Sequence, residues 1–245
     1  MSQPPSPDAF CFAMPVLPGK AAEARSFCAD MKARWANDVQ PHQGEVGLRH
    51  LVVCLQHTPI GDGLVQLVDS AGGVHEWVRR TAAVQSEYTR QMERTLRDFS
   101  GIDWTRPESA PNLEPLCDWQ DASGASGGAL SEEVFVMPVL PGKADACRAY
   151  WAEATGARAS DMDEHNRRVG LVRLVADLQH TPMGDLLVQY VATRGGLNTL
   201  LDKAAASELA VSRWVEQQFK EFSGIDWRSP QSKPDLELLF RWPES

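Results

Sequence analysis

Met14-Pro15-Val16-Leu17-Pro18-Gly19-Lys20-Ala21 returns, residue for residue, as Met137-Pro138-Val139-Leu140-Pro141-Gly142-Lys143-Ala144. The same offset carries Leu55-Gln56-His57-Thr58-Pro59 onto Leu178-Gln179-His180-Thr181-Pro182, and Phe99-Ser100-Gly101-Ile102-Asp103-Trp104 onto Phe222-Ser223-Gly224-Ile225-Asp226-Trp227. From residue 12 to residue 119, 49 of 108 aligned positions are identical without a gap, so neither copy has gained or lost a residue inside an element. The period is far longer than a solenoid repeat, and each copy is expected to be a domain with its own core. The expected boundaries are a disordered Pro-rich stretch at 1–9, repeats at 10–119 and 134–242, and a flexible Gly/Ser/Ala linker at 120–133.

Within each copy, a short apolar run closed by Pro-Gly (Phe10 to Leu17, Val134 to Leu140) reads as a buried strand. Lys20 to about Asp38, and Lys143 to about Ala159, carry apolar residues at helical spacing. Leu48 to His57 and Gly63 to Val68 flank Thr58-Pro59-Ile60-Gly61-Asp62 and read as a hairpin. Gly72-Gly73 opens a second amphipathic helix that runs to about Phe99 and ends at Ser100-Gly101-Ile102, with Gly as the left-handed cap. Leu113 to Trp119 and Leu236 to Trp242 are final strands. The order β-α-β-β-α-β predicts an α+β fold of two tandem ferredoxin-like domains, each an antiparallel sheet with both helices on one face. Two such sheets packed face to face make an intramolecular, pseudo-dimeric α/β barrel.

The Val-Leu-Pro-Gly-Lys opening (Val16 to Lys20, Val139 to Lys143), the Leu-Gln-x-Thr-Pro-x-Gly-Asp hairpin and the strand Leu186-Leu-Val-Gln-Tyr-Val191 together resemble the dimeric α/β-barrel superfamily. That superfamily includes antibiotic-biosynthesis monooxygenase-like proteins, and the hairpin is most similar to that of uncharacterised bacterial members. The resemblance implies the barrel fold and an enzyme of small-molecule, secondary metabolism that works by cofactor-independent oxygenation or by proton transfer such as isomerisation, cyclisation or decarboxylation. It also leaves open a haem-binding barrel with His57 or His180 as axial ligand.

Composition narrows the classes. A 245-residue chain with 43% hydrophobic and 23% charged residues suits a soluble protein with a sizeable core. A formal charge of −9 with no basic block disfavours nucleic acid and anionic membranes as partners. The apolar runs are too short for a membrane helix, and Met1 to Pro7 lacks the parts of a signal peptide, so a cytoplasmic location is expected. Five cysteines without a Cys-x-x-Cys pair, none matched between copies, read as buried free thiols. The histidine spacing offers no metal site, so neither metal nor nucleotide is expected as cofactor. The expected partner is a small-molecule ligand. The internal pairing predicts a monomer, with weak side-to-side homodimerisation the alternative.

Candidate site residues follow from strand alternation. With Thr58 set opposite Asp62 across the turn, one face of the first hairpin carries Val52, Cys54, Gln56, Leu64, Gln66 and Val68, and His50 continues it. The matching face of the second copy carries Arg173, Asp177, Gln179 and Gln189. The uniformly apolar face is expected to meet the helices, and the mixed face to line a barrel lumen. There a desolvated Asp177 could act as general base and Arg173 could hold an anionic group, with His50 and Cys54 as further candidates; Tyr190, which alternation puts on the helix side with Leu174, Ala176, Leu178 and Val188, is a further substrate-binding candidate. A filled, non-catalytic lumen is the competing reading: a ligand-binding or interaction module. His57 and His180 fall on the helix side, beside the turn, where an imidazole can cap backbone groups or serve in acid–base chemistry. His42 and His165 leave helix one and suggest surface or capping roles. Asp62 and Asp185 suit turn amides.

Overall fold

The computed structural model describes residues 8–84, 86–103, 106–122 and 130–243; of the side chains in these ranges, those of Val39, Pro41, His42, Pro107 and Pro230 are outside the description. The first copy runs β1(Ala9–Pro15), α1(Ala21–Arg34), a π-helical segment (Trp35–Val39), α2(Gln40–Val46), β2(Leu48–Thr58), β3(Gly61–Ser70), α3(Gly73–Ala83), α4(Glu87–Ser100) and β4(Asn112–Gln120). The second runs β5(Ser131–Pro138), α5(Ala144–Thr155), α6(Ala159–Val169), β6(Leu171–Thr181), β7(Gly184–Thr193), α7(Leu197–Ala206), α8(Ala210–Ser223) and β8(Asp235–Trp242). The class is α+β with two similar halves, as the pattern predicts. The expectations for residues 1–7, for Trp104 and for the linker stretch 123–129 lie outside the described residues.

Two four-stranded sheets form, ordered β1-β3-β2-β8 and β4-β6-β7-β5. Sequence reasoning closes each sheet with the final strand of its own copy; the structure closes it with the final strand of the other. β8 runs antiparallel to β2, with Leu51 opposite Trp242, Val53 opposite Phe240 and His57 opposite Asp235. Among the described residues, one compact unit therefore gathers 8–112 with 235–243, and the other holds 113–234. The exchange is open to this chain because β4 and β8 carry matching residues, among them Leu113-Glu114 and Leu236-Glu237, so either strand fits either sheet.

The hairpin turns are one residue tighter than expected. Thr58 pairs with Gly61 and Thr181 with Gly184, which leaves Pro59-Ile60 and Pro182-Met183 as two-residue loops. The Thr58 hydroxyl donates to the Gly61 carbonyl at 2.6 Å and accepts from the Ile60 amide at 3.3 Å, and Thr181 repeats both bonds. Gly61 and Gly184 take φ of 135° and 127°, a region closed to residues with a Cβ. Because side chains alternate, the tighter turn moves every residue of β3 and β7 to the opposite face from that expected.

The two long helices are also broken. The second splits at Val84, which is extended, and restarts at Ser86, whose hydroxyl caps the Thr89 amide at 2.9 Å. In the second copy helix one stops at Gly156, where a Cβ would stand 2.7 Å from the Ala152 carbonyl oxygen. The aligned residue of the first copy is Ala33, and there the helix continues through the π segment into α2. At the far end Gly101, with φ of 76°, closes α4 in the left-handed cap predicted. Among the described residues no helix is long and apolar enough to cross a membrane.

His165 is not at the surface: it is 5% exposed on α6, with Nδ1 2.8 Å from the Ser212 hydroxyl oxygen on α8. Burial pushes its pKa down to about 4. The unfolded imidazole takes a proton near pH 6.5 while the folded one stays neutral, so its contribution is complete above pH 6.5 and is lost as pH falls toward 4. The linkage is worth roughly 3 kcal/mol at most. Replacing His165 by Gln should flatten the fall of melting temperature between pH 6.5 and 4, measured by thermal unfolding across that range. A chain ended after residue 234 should lose hydrogen-exchange protection along β2 while β6 and β7 keep theirs; loss centred on β6 would contradict the exchanged pairing.

Candidate functional site

In the unit built on β1-β3-β2-β8 a cavity of about 120 Å³ lies between the sheet and its helices. Its floor is the helix-facing side of the sheet: Phe12 and Met14 from β1, Leu51 and Val53 from β2, Leu64 and Gln66 from β3. The register places them together, with Phe12, Gln66 and Val53 in one row and Met14, Leu64 and Leu55 in the next. The helices close it with Phe27 and Met31, with Val46, with Trp77 and Val78, and with Tyr88, Met92 and Leu96. The wall is thus mostly apolar and aromatic, with a few polar groups set into it.

Those polar groups are specific. The Gln43 Oε1 and Thr81 Oγ1 atoms are buried and have no hydrogen-bond partner, a condition that costs about 1–3 kcal/mol per group unless something fills it. Glu93 is a carboxylate in the wall, and burial, together with the Asp103 charge, pushes its pKa up against an opposing pull from Arg97. Burial likewise raises the Tyr88 phenol to about 12, and the Arg34 guanidinium lies 4.6 Å from the Tyr88 ring centroid. The lining contains no lysine, arginine or histidine.

In the other repeat two positions of this wall carry larger rings: Phe27 and Leu96 align with Tyr150 and Phe219. The Tyr150 ring packs at 5.1 Å from both Trp214 and Phe219 and at 5.8 Å from Phe222. Tyr150 is 2% exposed and Phe219 6%. A space of only about 20 Å³ is found in that unit, beside Trp151, Ala154 and Met162.

The register decides where the residues singled out from sequence fall. His50, Cys54 and Gln56 lie on the sheet face away from the helices, as do Arg173, Asp177 and Gln179 in the second unit. Cys54, Gln56, Asp177 and Gln179 are buried there. The guanidinium of Arg173 pairs with Asp118 at 3.4 Å. Tyr190, opposite Val175 and Val134, shares that face, and its hydroxyl donates to Glu132. Gln66 and Gln189, expected beside them, sit on the helix side. Gln66 reaches the cavity wall, and the buried Gln189 Nε2 has no hydrogen-bond partner. All five cysteines are buried free thiols.

His57 and His180 are on the helix side and make side-chain contacts that the sequence did not announce. Each Nδ1 lies 2.7 Å from a turn carboxylate, Asp62 or Asp185. Glu237, from the exchanged strand, accepts from Arg25 Nε at 2.7 Å, and Arg25 Nη2 lies 3.4 Å from His57 Nε2. In the second unit Glu114 takes Arg148 at 2.8 Å and stands 3.5 Å from His180 Nε2. The same Arg–Glu–His–Asp group is therefore built twice, and both ring nitrogens of each histidine face a charged partner. Neither histidine lines the cavity. Among the described residues no group of three or more His, Cys, Asp and Glu side chains is placed to hold a metal ion.

Sequence reasoning missed Gln43, Thr81 and Glu93 because they come from helices, and attention stayed on strand alternation. A signal existed for Glu93: it aligns with Glu216, whose partner Arg228 aligns with Thr105.

No family model and no curated protein matches the chain. Solved structures do. An anthrone oxidase-like protein matches with 10% identity over 95% of this chain and 90% of its own, at a TM-score of 0.50. A candidate monooxygenase from Fusobacterium nucleatum matches with 9% identity over 95% and 92% at 0.49, and another from Lactobacillus acidophilus with 7% over 95% and 92% at 0.44. At such identities the likeness is one of fold: this α+β architecture is shared with the anthrone oxidase-like structure.

Proposed function

We propose that the chain is a small-molecule enzyme whose ligand, an apolar ring compound, occupies the cavity between the sheet and helices of the unit carrying the first repeat. The supporting observation is that this ring-sized hole, with the unsatisfied Gln43 and Thr81 oxygens in its wall, stands open in one repeat and is packed with aromatic rings in the other. Left empty, about 120 Å³ costs roughly 3 kcal/mol at about 24 cal/mol per Å³. The second repeat keeps the same fold around a filled core, with Tyr150 and Phe219 in place of Phe27 and Leu96 and other wall positions changed as well. Retaining the hole suits an occupant.

Size and chemistry define that occupant. A cavity of about 150 Å³ accepts benzene, and the space here, at about 120 Å³, is close to the size of a single ring. A donor on the ligand satisfies Gln43 Oε1, and Thr81 Oγ1 can donate or accept. The chemistry we assign is oxygenation or proton transfer on the bound ring. The shared architecture with an anthrone oxidase-like protein supports the first, and the partly exposed Glu93 carboxyl in the wall supports the second.

The test uses the second repeat as template. Leu96→Phe copies Phe219 and should weaken the binding of toluene-sized compounds at least about tenfold, read by ligand-observed NMR, as roughly one lost ring contact requires. Melting temperature should hold or rise. Equal binding by the wild-type protein and L96F would move the ligand elsewhere.

A further inference from the structure

Glu93 has lost the positive charge that its counterpart keeps. In the second repeat Glu216 occupies the aligned position on α8, and its carboxylate takes Arg228 Nε at 2.6 Å. The position of Arg228 is Thr105 in the first repeat. Arg97, one turn along α4 from Glu93, stands 3.8 Å from Asp103, and Arg106 stands 3.4 Å from the same carboxylate, so the cations near this helix end are engaged with Asp103. Glu93 meanwhile lies in the wall of a mostly apolar cavity that contains no basic side chain.

The space outside continues the pattern. A groove of about 250 Å³ between α1 and α4 shares Phe27, Tyr88 and Met92 with the cavity wall and adds Glu23 and Asp30. Its lining, too, contains no lysine, arginine or histidine. Every charged side chain lining the cavity or this groove is thus an acid, of which Glu23 pairs with Lys20 at 2.8 Å and Asp30 lies 3.7 Å from Arg34, while Phe12, Phe27 and Trp77 offer ring faces that attract cations. An anionic ligand would meet repulsion at Glu93, whereas a cation restores there the pairing that Arg228 supplies to Glu216.

We propose that Glu93 is the counter-ion for a cationic group on the occupant, which makes the ligand class an apolar ring bearing a primary amine on a short chain. The inference rests on the cavity reading above and adds the charge of the ligand. The ring fills the apolar space, and the ammonium donates to the Glu93 carboxylate, a charge-assisted contact in partly desolvated surroundings. Glu93 is then a specificity residue: it selects amines over neutral and anionic rings of the same size.

Three probes of matched shape separate the possibilities: phenethylamine, ethylbenzene and 3-phenylpropanoate, titrated into the full chain by calorimetry or ligand-observed NMR. Phenethylamine should bind roughly ten- to a hundredfold more tightly than ethylbenzene, and 3-phenylpropanoate should bind more weakly than either. Glu93→Gln should bring phenethylamine and ethylbenzene to equal affinity, which loss of a merely structural Glu93 would not do. Equal binding of amine and hydrocarbon by the wild-type chain, or an amine preference that survives E93Q, overturns the counter-ion and leaves the cavity reading standing. No binding of any probe overturns both.

Discussion

The Thr58–Gly61 pairing, repeated at Thr181–Gly184, is the constraint from which the rest of the arrangement follows. A two-residue loop leaves no freedom of register, so each residue of β3 and β7 is committed to one face once the threonine hydroxyl has tied the turn. Gln66 is thereby turned toward the helices, and the row Phe12, Gln66, Val53 becomes the floor of a cavity. With one more residue in the loop the same sequence would present Leu67 and Val65 there. The floor would then be wholly apolar and the glutamine would lie on the other face.

A second pairing fixes the outer strand of each sheet. Arg25, itself beside His57, pairs with Glu237, and Arg148 and His180 approach Glu114, so a strand from one copy is held by charges on the other at the same positions in both units. These side chains are between about a third and two fifths exposed, and each pair contributes little energy, on the order of 0–1 kcal/mol. Their effect is on register. A slip by one residue would turn Glu237 to the opposite face and leave Arg25 without its carboxylate.

Much of the fold was legible because the chain states it twice. A gapless alignment separates what both copies need, such as Gly61 and Gly184 or the Ser-Gly-Ile caps, from what either can change. The exchange of β4 and β8 was illegible for the same reason: matching strands give no sequence clue to which sheet each joins. The turn was misjudged by one residue, since Thr-Pro-x-Gly-Asp is compatible with a loop of two or three, and that single residue redistributed the candidate polar side chains of β3 and β7. The cavity was out of reach of strand reasoning. Its wall differs between the copies in both directions, Phe27 and Leu96 being smaller than Tyr150 and Phe219 while Trp77 and Tyr88 are larger than Leu200 and Val211, a redistribution of side-chain volume that no motif carries.

Division of labour between the copies follows from the exchanged strands. Neither repeat completes its own sheet here and each completes the other's, so a one-repeat forebear built in the same way would fold as an intertwined pair of identical chains. In such a pair any substitution appears twice, and a hole opened for a guest weakens both halves at once. Joining the copies in one polypeptide removes that symmetry. One half can remain a solid aromatic keystone while the other is hollowed, and the cost of keeping a room empty is carried by a neighbour that has none.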